Sequence, residues 1–312
     1  MRAIPGTDLE VSEICLGGNV FGWTADREAS FAVLDAFLDG GGNFIDTADS
    51  YSAFAPGNSG GESETVLGEW LAARPGARER VVIATKVGKH PEFKGLAPAN
   101  VRAAAEASLA RLGTDRIDLY YAHEDDPGTP IEDSLAAFGA LIEEGKVRYV
   151  AASNYTAPRL AEALQIAKRE QLPRYVALQP EYSLVERGAY EGELSELCER
   201  EGLACIPYWG LARGFLTGKY RPGGPHVDSP RAAGAEVYLN ERGIAVLGAL
   251  DEVAAAHDVQ VATVALAWLL AQPTVLSPIA SARNVEQLGP LLAVPDLQLS
   301  AEELERLSEA SA

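Results

Sequence analysis

Cysteine is scarce: Cys15, Cys198 and Cys205 are the only three in 312 residues, and they form no CxxC pair. An odd, scattered set excludes a disulfide framework and suits a reducing compartment, with the thiols expected as packing residues. No run reaches the roughly 18 apolar residues that a spanning helix needs, and no apolar stretch of signal-peptide length follows Met1. A cytoplasmic location, away from membranes, is the expectation. Positive charge is also in short supply, with 26 Lys and Arg against 45 Asp and Glu, a net charge of -19. Without a basic patch, such a chain repels a phosphate backbone, which argues against nucleic acid as a partner. The GxGxxG fingerprint is missing. Leu16 to Gly22 follows the first apolar run, but its glycines do not fit that spacing and no helix opens there. The four histidines, His90, His123, His226 and His257, are scattered without an HxH pair, so a zinc-dependent hydrolase has little support and no metal is expected.

What the chain does have is an ordinary globular composition, 47% hydrophobic and 23% charged, far from the disordered range. Its 312 residues suit one α/β barrel domain with extended loops, taken as residues 1–312. Short apolar runs alternate with longer amphipathic segments, which predicts βα units around a parallel sheet. Strands are expected at Glu13 to Leu16, Asn43 to Asp46, Val81 to Lys86, Ile117 to His123, Val150 to Ser153, Val176 to Gln179, Ala204 to Pro207 and Val275 to Ile279. Helices are expected at Arg27 to Leu38, Glu62 to Ala73, Pro98 to Leu112, Ile131 to Glu144, Ala157 to Glu170, Glu191 to Glu201, Glu241 to Ala271 in two pieces, and Val285 to Leu292. Pro98 fits a first helical turn, and Gly40 to Gly42 and Gly145 can end helices. Eight such units without a domain-sized linker predict a closed (β/α)8 barrel rather than an open sheet. Arg2 to Val11 is expected as a hairpin plugging the barrel floor and Arg221 to Ala235 as a mobile loop. Ser300 to Ala312 is expected as a C-terminal helix opened by a Ser300/Glu303 capping box.

Barrels of this kind place their chemistry where strands end and loops begin. Asp46, Lys86 and His123 end the second, third and fourth strands; Ser153 and Asn154 end the fifth and Gln179 the sixth. Tyr208 and Trp209 follow the seventh, and Ser281 and Arg283 the eighth. Buried charges need partners, and Asp46 and Lys86 can serve each other. Tyr51, five residues beyond Asp46, can reach that pair, where a nearby ammonium is expected to lower the phenol's pKa. A proton donor, a polarising donor and a hydride carrier are what carbonyl reduction requires, and Tyr51, His123 and a nicotinamide would supply them. Singly, each residue has an ordinary structural explanation; their joint occurrence at successive strand ends is much harder to produce by packing.

The runs Phe44 to Tyr51 (FIDTADSY), Ala84 to Gly88 (ATKVG), Leu119 to His123 (LYYAH), Ala152 to Tyr155 (ASNY) and Gly214 to Tyr220 (GFLTGKY) resemble aldo-keto reductase motifs, in family order over nearly the whole chain. The resemblance implies a catalytic tetrad of Asp46, Tyr51, Lys86 and His123. Tyr51 would be the general acid, Lys86 and Asp46 its tuning pair, and His123 the orienting donor. It further implies that Ser153, Asn154 and Gln179 bind a nicotinamide carboxamide and that Tyr208 stacks on the ring. The following Trp209, Gly210 and Leu211 would lie along the cofactor, and Arg213 and Lys219 are candidates for its pyrophosphate.

At the adenine end the match thins. Ser281 and Gln287 stand where many members carry Lys and Arg, and Pro290 and Leu291 where they carry Glu and Asn. Arg283, with Ser281 and a helix N-terminus at Asn284, can still hold a 2'-phosphate, so NADPH is the expected cofactor and NADH remains possible. Trp209 replaces a smaller residue and either walls the cleft or packs on its own loop. Trp23 and Phe54 suggest an aromatic pocket mouth for a small carbonyl or alcohol substrate. The functional alternative is a nicotinamide-binding regulatory subunit with little turnover, as some potassium-channel β subunits resemble the same family.

Overall fold

The computed structural model describes all 312 residues. Eight parallel strands form one sheet: β3 (Cys15–Gly17), β4 (Phe44–Asp46), β5 (Val82–Val87), β6 (Ile117–Ala122), β7 (Val147–Ser153), β8 (Ala177–Gln179), β9 (Ala204–Cys205) and β10 (Ile279–Ala280). They lie side by side in the order β10-β3-β4-β5-β6-β7-β8-β9. Across the remaining seam a bridge pairs Cys205 with Val275, while Leu276 and Ile279 donate their N–H groups to the carbonyls of Cys205 and Pro207 at 2.8 Å. The sheet thus closes into a (β/α)8 barrel.

Helices α1 (Arg27–Asp39), α2 (Glu62–Ala73), α3 (Pro98–Leu112), α4 (Ile131–Glu143), α5 (Ala157–Glu170), α6 (Glu193–Glu201), α8 (Glu241–His257), α9 (Val261–Leu270) and α10 (Val285–Leu292) follow the strands. Their ends carry the caps the sequence offers. Asp26, Thr156, Asn240 and Asn284 each accept an N–H from the first turn of the helix they precede. Ser300 and Glu303 close a reciprocal capping box on α11 (Ala301–Ala310). α1 runs out into Gly40 and Gly41, the latter at φ 85°, a left-handed conformation that glycine adopts without steric cost. No single helix is long and apolar enough to cross a membrane; the apolar α9 is buried from Ala262 to Leu269.

Side-chain alternation with period two divides the core. Phe44, Val82, Ala84, Leu119, Tyr121, Ala151 and Ala177 point into the barrel, while Ile45, Ile83, Tyr120, Ala152 and Leu178 pack outward against the helices. The N-terminal hairpin, β1 (Arg2–Ala3) paired antiparallel with β2 (Glu10–Val11), adds Ile4, Leu9 and Val11 to the inner cluster. One step further along the inward rows stand Asp46, two residues past Phe44, and Lys86, two past Ala84. The same alternation puts Ser153 after Ala151 and Gln179 after Ala177. The rule that builds the core therefore also delivers these polar groups to the barrel mouth.

Three expectations are corrected. The seventh strand stops at Cys205, short of the expected Pro207, and the eighth lies at Ile279–Ala280, sharing only Ile279 with the expected Val275 to Ile279, because Pro207 and Pro278 offer no N–H to a ladder. The first strand starts at Cys15 rather than Glu13. The segment expected as a loop through Ala235 instead forms a short helix, α7 (Ala232–Glu236), with Ala232 and Ala235 buried in the main core.

Candidate active site

At the C-terminal mouth of the barrel lies a cleft of about 850 Å³. Beneath it Lys86 and Asp46 are fully buried, with Lys86 Nζ 2.7 Å from both carboxylate oxygens. The same ammonium donates to the Thr47 carbonyl at 2.8 Å and to the Tyr51 hydroxyl at 2.7 Å. Tyr51 in turn donates to Asp46 Oδ2 at 2.8 Å, and Gln179 Nε2 to Asp46 Oδ1 at 2.9 Å. Every polar atom of the pair is supplied, which a buried charge requires. Tyr51 and His123 line the cleft together, their rings 6.2 Å apart and nearly perpendicular. The Ser50 hydroxyl is 3.5 Å from His123 Nδ1.

The electrostatics overturn one expectation. Burial, and then the Asp46 charge and its hydrogen bond, push the Tyr51 phenol well above its ordinary range rather than below it. The reason is that Asp46 sits on Lys86: at 2.7 Å the carboxylate cancels most of the ammonium's pull, and desolvation of a phenolate then decides the sign. Burial also lowers Lys86, and it holds His123 well below its usual value, aided by the charges of Lys86 and Lys89. Tyr51 is a proton-bearing phenol and His123 a neutral imidazole at neutral pH.

From this floor a polar chain runs along the sheet. Ser153 Oγ donates to the Gln179 carbonyl at 2.9 Å, and Asn154, at φ 56°, donates to Ser153 Oγ at 3.0 Å and to the His123 carbonyl at 2.8 Å. Tyr208 completes it by donating to Asn154 Oδ1 at 2.8 Å. Trp209 lines the cleft, with its ring edge to Tyr208 and the Arg213 guanidinium 4.0 Å above its face. Its φ of 56° costs a bulky residue about 1–2 kcal/mol, a strain maintained by the stacked arginine. Gly210 stands back from the cleft, where an added Cβ would lie 2.9 Å from Leu269. Leu211, Lys219, Ser281, Arg283 and Gln287 line the other arm. There Ser281 Oγ donates to Asn19 Oδ1 at 2.8 Å, and Gln287 Oε1 accepts the Arg283 N–H at 3.1 Å.

Two cations that sequence reasoning passed over also face the cleft. Arg231 comes from the loop before α7 and lies 5.3 Å from the Trp23 ring, while Lys89 is paired with Glu124 at 3.1 Å. Lys219, Arg231 and Arg283 are close enough to perturb one another, depressing the pKa of the first two after burial has done so. With Arg213 they put four positive side chains, besides the Glu124-paired Lys89, on the cleft of a protein whose net charge is -19. Counting basic residues within the Pro/Gly-rich loop was the signal available for Arg231. Trp23 and Phe54 meet edge to face at 4.8 Å over the mouth, with Phe54 65% exposed. No three His, Cys, Asp or Glu side chains are arranged to hold a metal ion.

The aldo/keto reductase family model matches residues 13–312. The chain belongs to the aldo/keto reductase family. Among relatives of this reductase, the uncharacterized oxidoreductase YrpG of Bacillus subtilis is 33% identical over 97% of the chain and 93% of its own length. The norsolorinic acid reductase stcV of Emericella nidulans is 34% identical over 98% of the chain and 79% of its length. A probable voltage-gated potassium channel subunit beta of Oryza sativa is 32% identical over 90% of the chain and 86% of its length. Membership of this family makes the chain a nicotinamide-dependent oxidoreductase acting on carbonyl groups.

Proposed function

We propose that this reductase uses NADPH to reduce an aldehyde or ketone to the alcohol, reversibly, with Tyr51 as proton donor. The observation that carries the proposal is the Tyr51 hydroxyl, held between Lys86 Nζ and Asp46 Oδ2 beneath an open cleft. NADPH, when bound, supplies hydride to the carbonyl carbon. As the C=O π bond breaks, the oxygen takes the Tyr51 proton, and the phenolate left behind rests against Lys86 until solvent reprotonates it. A phenol of raised pKa remains an adequate acid here because an alkoxide is a stronger base still. Neutral His123, with Ser50 at Nδ1, presents Nε2–H to orient the substrate oxygen. Asp46 holds Lys86 and Tyr51 in register.

Ser153, Asn154 and Gln179 would take the nicotinamide carboxamide, and Tyr208 the ring. The four cations and the N-terminus of α10 fit a group carrying several phosphate charges: Arg213 Nε is buried with no partner, and Lys219 and Arg231 form no ion pair. Arg213, Lys219 and Arg231 would hold the pyrophosphate, with Trp209 and Leu211 beside it, and Arg283 with Ser281 the 2'-phosphate. The aromatic mouth of Trp23 and Phe54 suits an apolar carbonyl substrate. The buried cysteines fit a cytoplasmic enzyme. A panel of carbonyl compounds monitored by loss of NADPH absorbance tests the activity; tight NADPH binding without turnover on any of them would overturn it.

Two further outcomes are expected. Arg283→Ala should weaken NADPH binding by about 10- to 150-fold, since a charge-assisted bond contributes roughly 1.5–3 kcal/mol, while leaving NADH almost unchanged. The preference should also shrink as salt rises; equal losses for both cofactors in a binding titration would assign Arg283 elsewhere. The reduction rate should be flat between about pH 6.5 and 7.5. The Tyr51 proton is lost only as pH rises through a value above its usual 10.0, and His123 charges only as pH falls through a value below 6.5. A loss of kcat as pH rises through neutrality would mean that His123 works as the imidazolium.

A further inference from the structure

Three residues after Asp46, on the loop that carries Tyr51, Asp49 is fully buried and neither carboxyl oxygen has a hydrogen-bond partner. The charged and titratable groups facing it come from four elements: Glu64 on α2, Arg111 on α3, Lys86 on β5 and Tyr120 on β6. Glu64 is equally buried but fully supplied, with Thr85 Oγ1 donating at 2.5 Å and Arg111 Nε and Nη2 at 2.7 Å. Lys86 is committed to Asp46, Thr47 and Tyr51. Two carboxyl groups therefore share one available guanidinium, and that guanidinium lies on Glu64. The Tyr120 hydroxyl, also buried and unpartnered, offers a neutral neighbour rather than a counter-charge. A buried carboxylate without a partner is costly, so the second carboxyl keeps its proton.

We propose that Asp49 is a neutral carboxylic acid in the working enzyme and a positioning residue for Tyr51, its neutrality keeping the catalytic loop in register. The loop is tied to Lys86 in two places, with Lys86 Nζ donating to the Thr47 carbonyl and the Asp49 N–H to the Lys86 carbonyl at 3.4 Å, and it is closed on itself by the Tyr51 N–H donating to the Ala48 carbonyl at 3.2 Å. A charge on Asp49 that seeks water drags this stretch outward and takes the Tyr51 hydroxyl off Lys86. Burial, and then the Glu64 charge, raise the Asp49 carboxyl to about 8, against opposing pulls from the Arg111 and Lys86 charges. The loop is thus secure at neutral pH and released by alkali.

Asp49→Asn, a permanently neutral near-isostere, tests this. Between the ordinary Asp value near 3.8 and about 8, the folded wild type holds a proton that the unfolded chain has lost, so its stability falls with rising pH. The melting temperature of Asp49→Asn should therefore gain on wild type from pH 5 to about 8 and then level off. Infrared spectra should show a protonated-carboxyl band in wild type at neutral pH that vanishes by about pH 9.5 and is missing from the variant. The proposal rests on Tyr51 as proton donor only for its kinetic arm: wild type should lose reduction along a limb near pH 8, about 30-fold by pH 9.5, and the variant should not. A melting difference independent of pH, a band that persists in Asp49→Asn, or the same alkaline limb in both proteins would each overturn the proposal. Should the variant fail to fold, the wild-type spectrum decides: a band that titrates away supports the protonated carboxyl, and no band at neutral pH overturns it.

Discussion

Tyr51→Phe should lower kcat for carbonyl reduction by about 10²- to 10⁴-fold, the usual contribution of a positioned general acid, while NADPH affinity stays near that of wild type. The substitution removes one oxygen. That oxygen accepts from Lys86 and donates to Asp46, and both partners keep other bonds, Lys86 to Asp46 and Thr47, Asp46 to Lys86 and Gln179. The site should accordingly survive structurally and fail chemically, which separates this variant from one that merely unfolds. Steady-state kinetics with one good aldehyde, together with fluorescence titration of NADPH, read both quantities. Near-normal turnover would remove Tyr51 from the mechanism, and a parallel loss of cofactor affinity would make it a binding residue.

Lys86→Met should be damaged in two ways at once. Reduction should fall by about 10²- to 10³-fold, the scale for losing a preorganised donor, because nothing else donates to the phenol oxygen or supports the phenolate. Stability should fall too, by roughly 3 kcal/mol, because one partner of a buried ion pair has been removed. Gln179 and Tyr51 still donate to Asp46, which keeps the loss at the lower end of the usual range for such deletions. Thermal unfolding and kinetics on the same preparation measure both effects. A variant as stable as wild type would show that Asp46 adapts without its ammonium, and one that retains activity would leave the phenol positioned by Asp46 alone.

The barrel was legible because its two periodicities are local. Helices α2, α3, α5 and α10 begin and end on the residues that their caps, prolines and polar boundaries announce. The seventh and eighth strands were less legible, since closure across the Cys205–Val275 seam is a contact between distant segments and prolines thin out the ladder there. In the site, residue types at strand ends were readable from barrel architecture, and so was the pairing of Asp46 with Lys86. Arg231 was missed because no local pattern shows which loop folds over a cleft. Trp209 could not be placed because a left-handed φ and a stacked arginine are not properties of its neighbours in sequence.

Sequence by itself determined the alternation of strand and helix, the inward rows that carry Asp46, Lys86, Ser153 and Gln179 to one end, and the scarcity of positive charge. Those depend on side-chain period and composition, which each segment carries alone. Tertiary structure decided the signs of the titrations. Lys86 and Asp46 are 40 residues apart, and Asp46 and Gln179 are 133 apart. Only their meeting makes Asp46 neutralise the ammonium that would otherwise have lowered the Tyr51 phenol. The same holds for Asp49, an unremarkable acid in a polar loop until α2 and α3 bring Glu64 and Arg111 together beside it and leave it without a counter-charge. Desolvation and Coulomb terms act through space at a few ångströms, so which of them wins is fixed by packing and not by order along the chain.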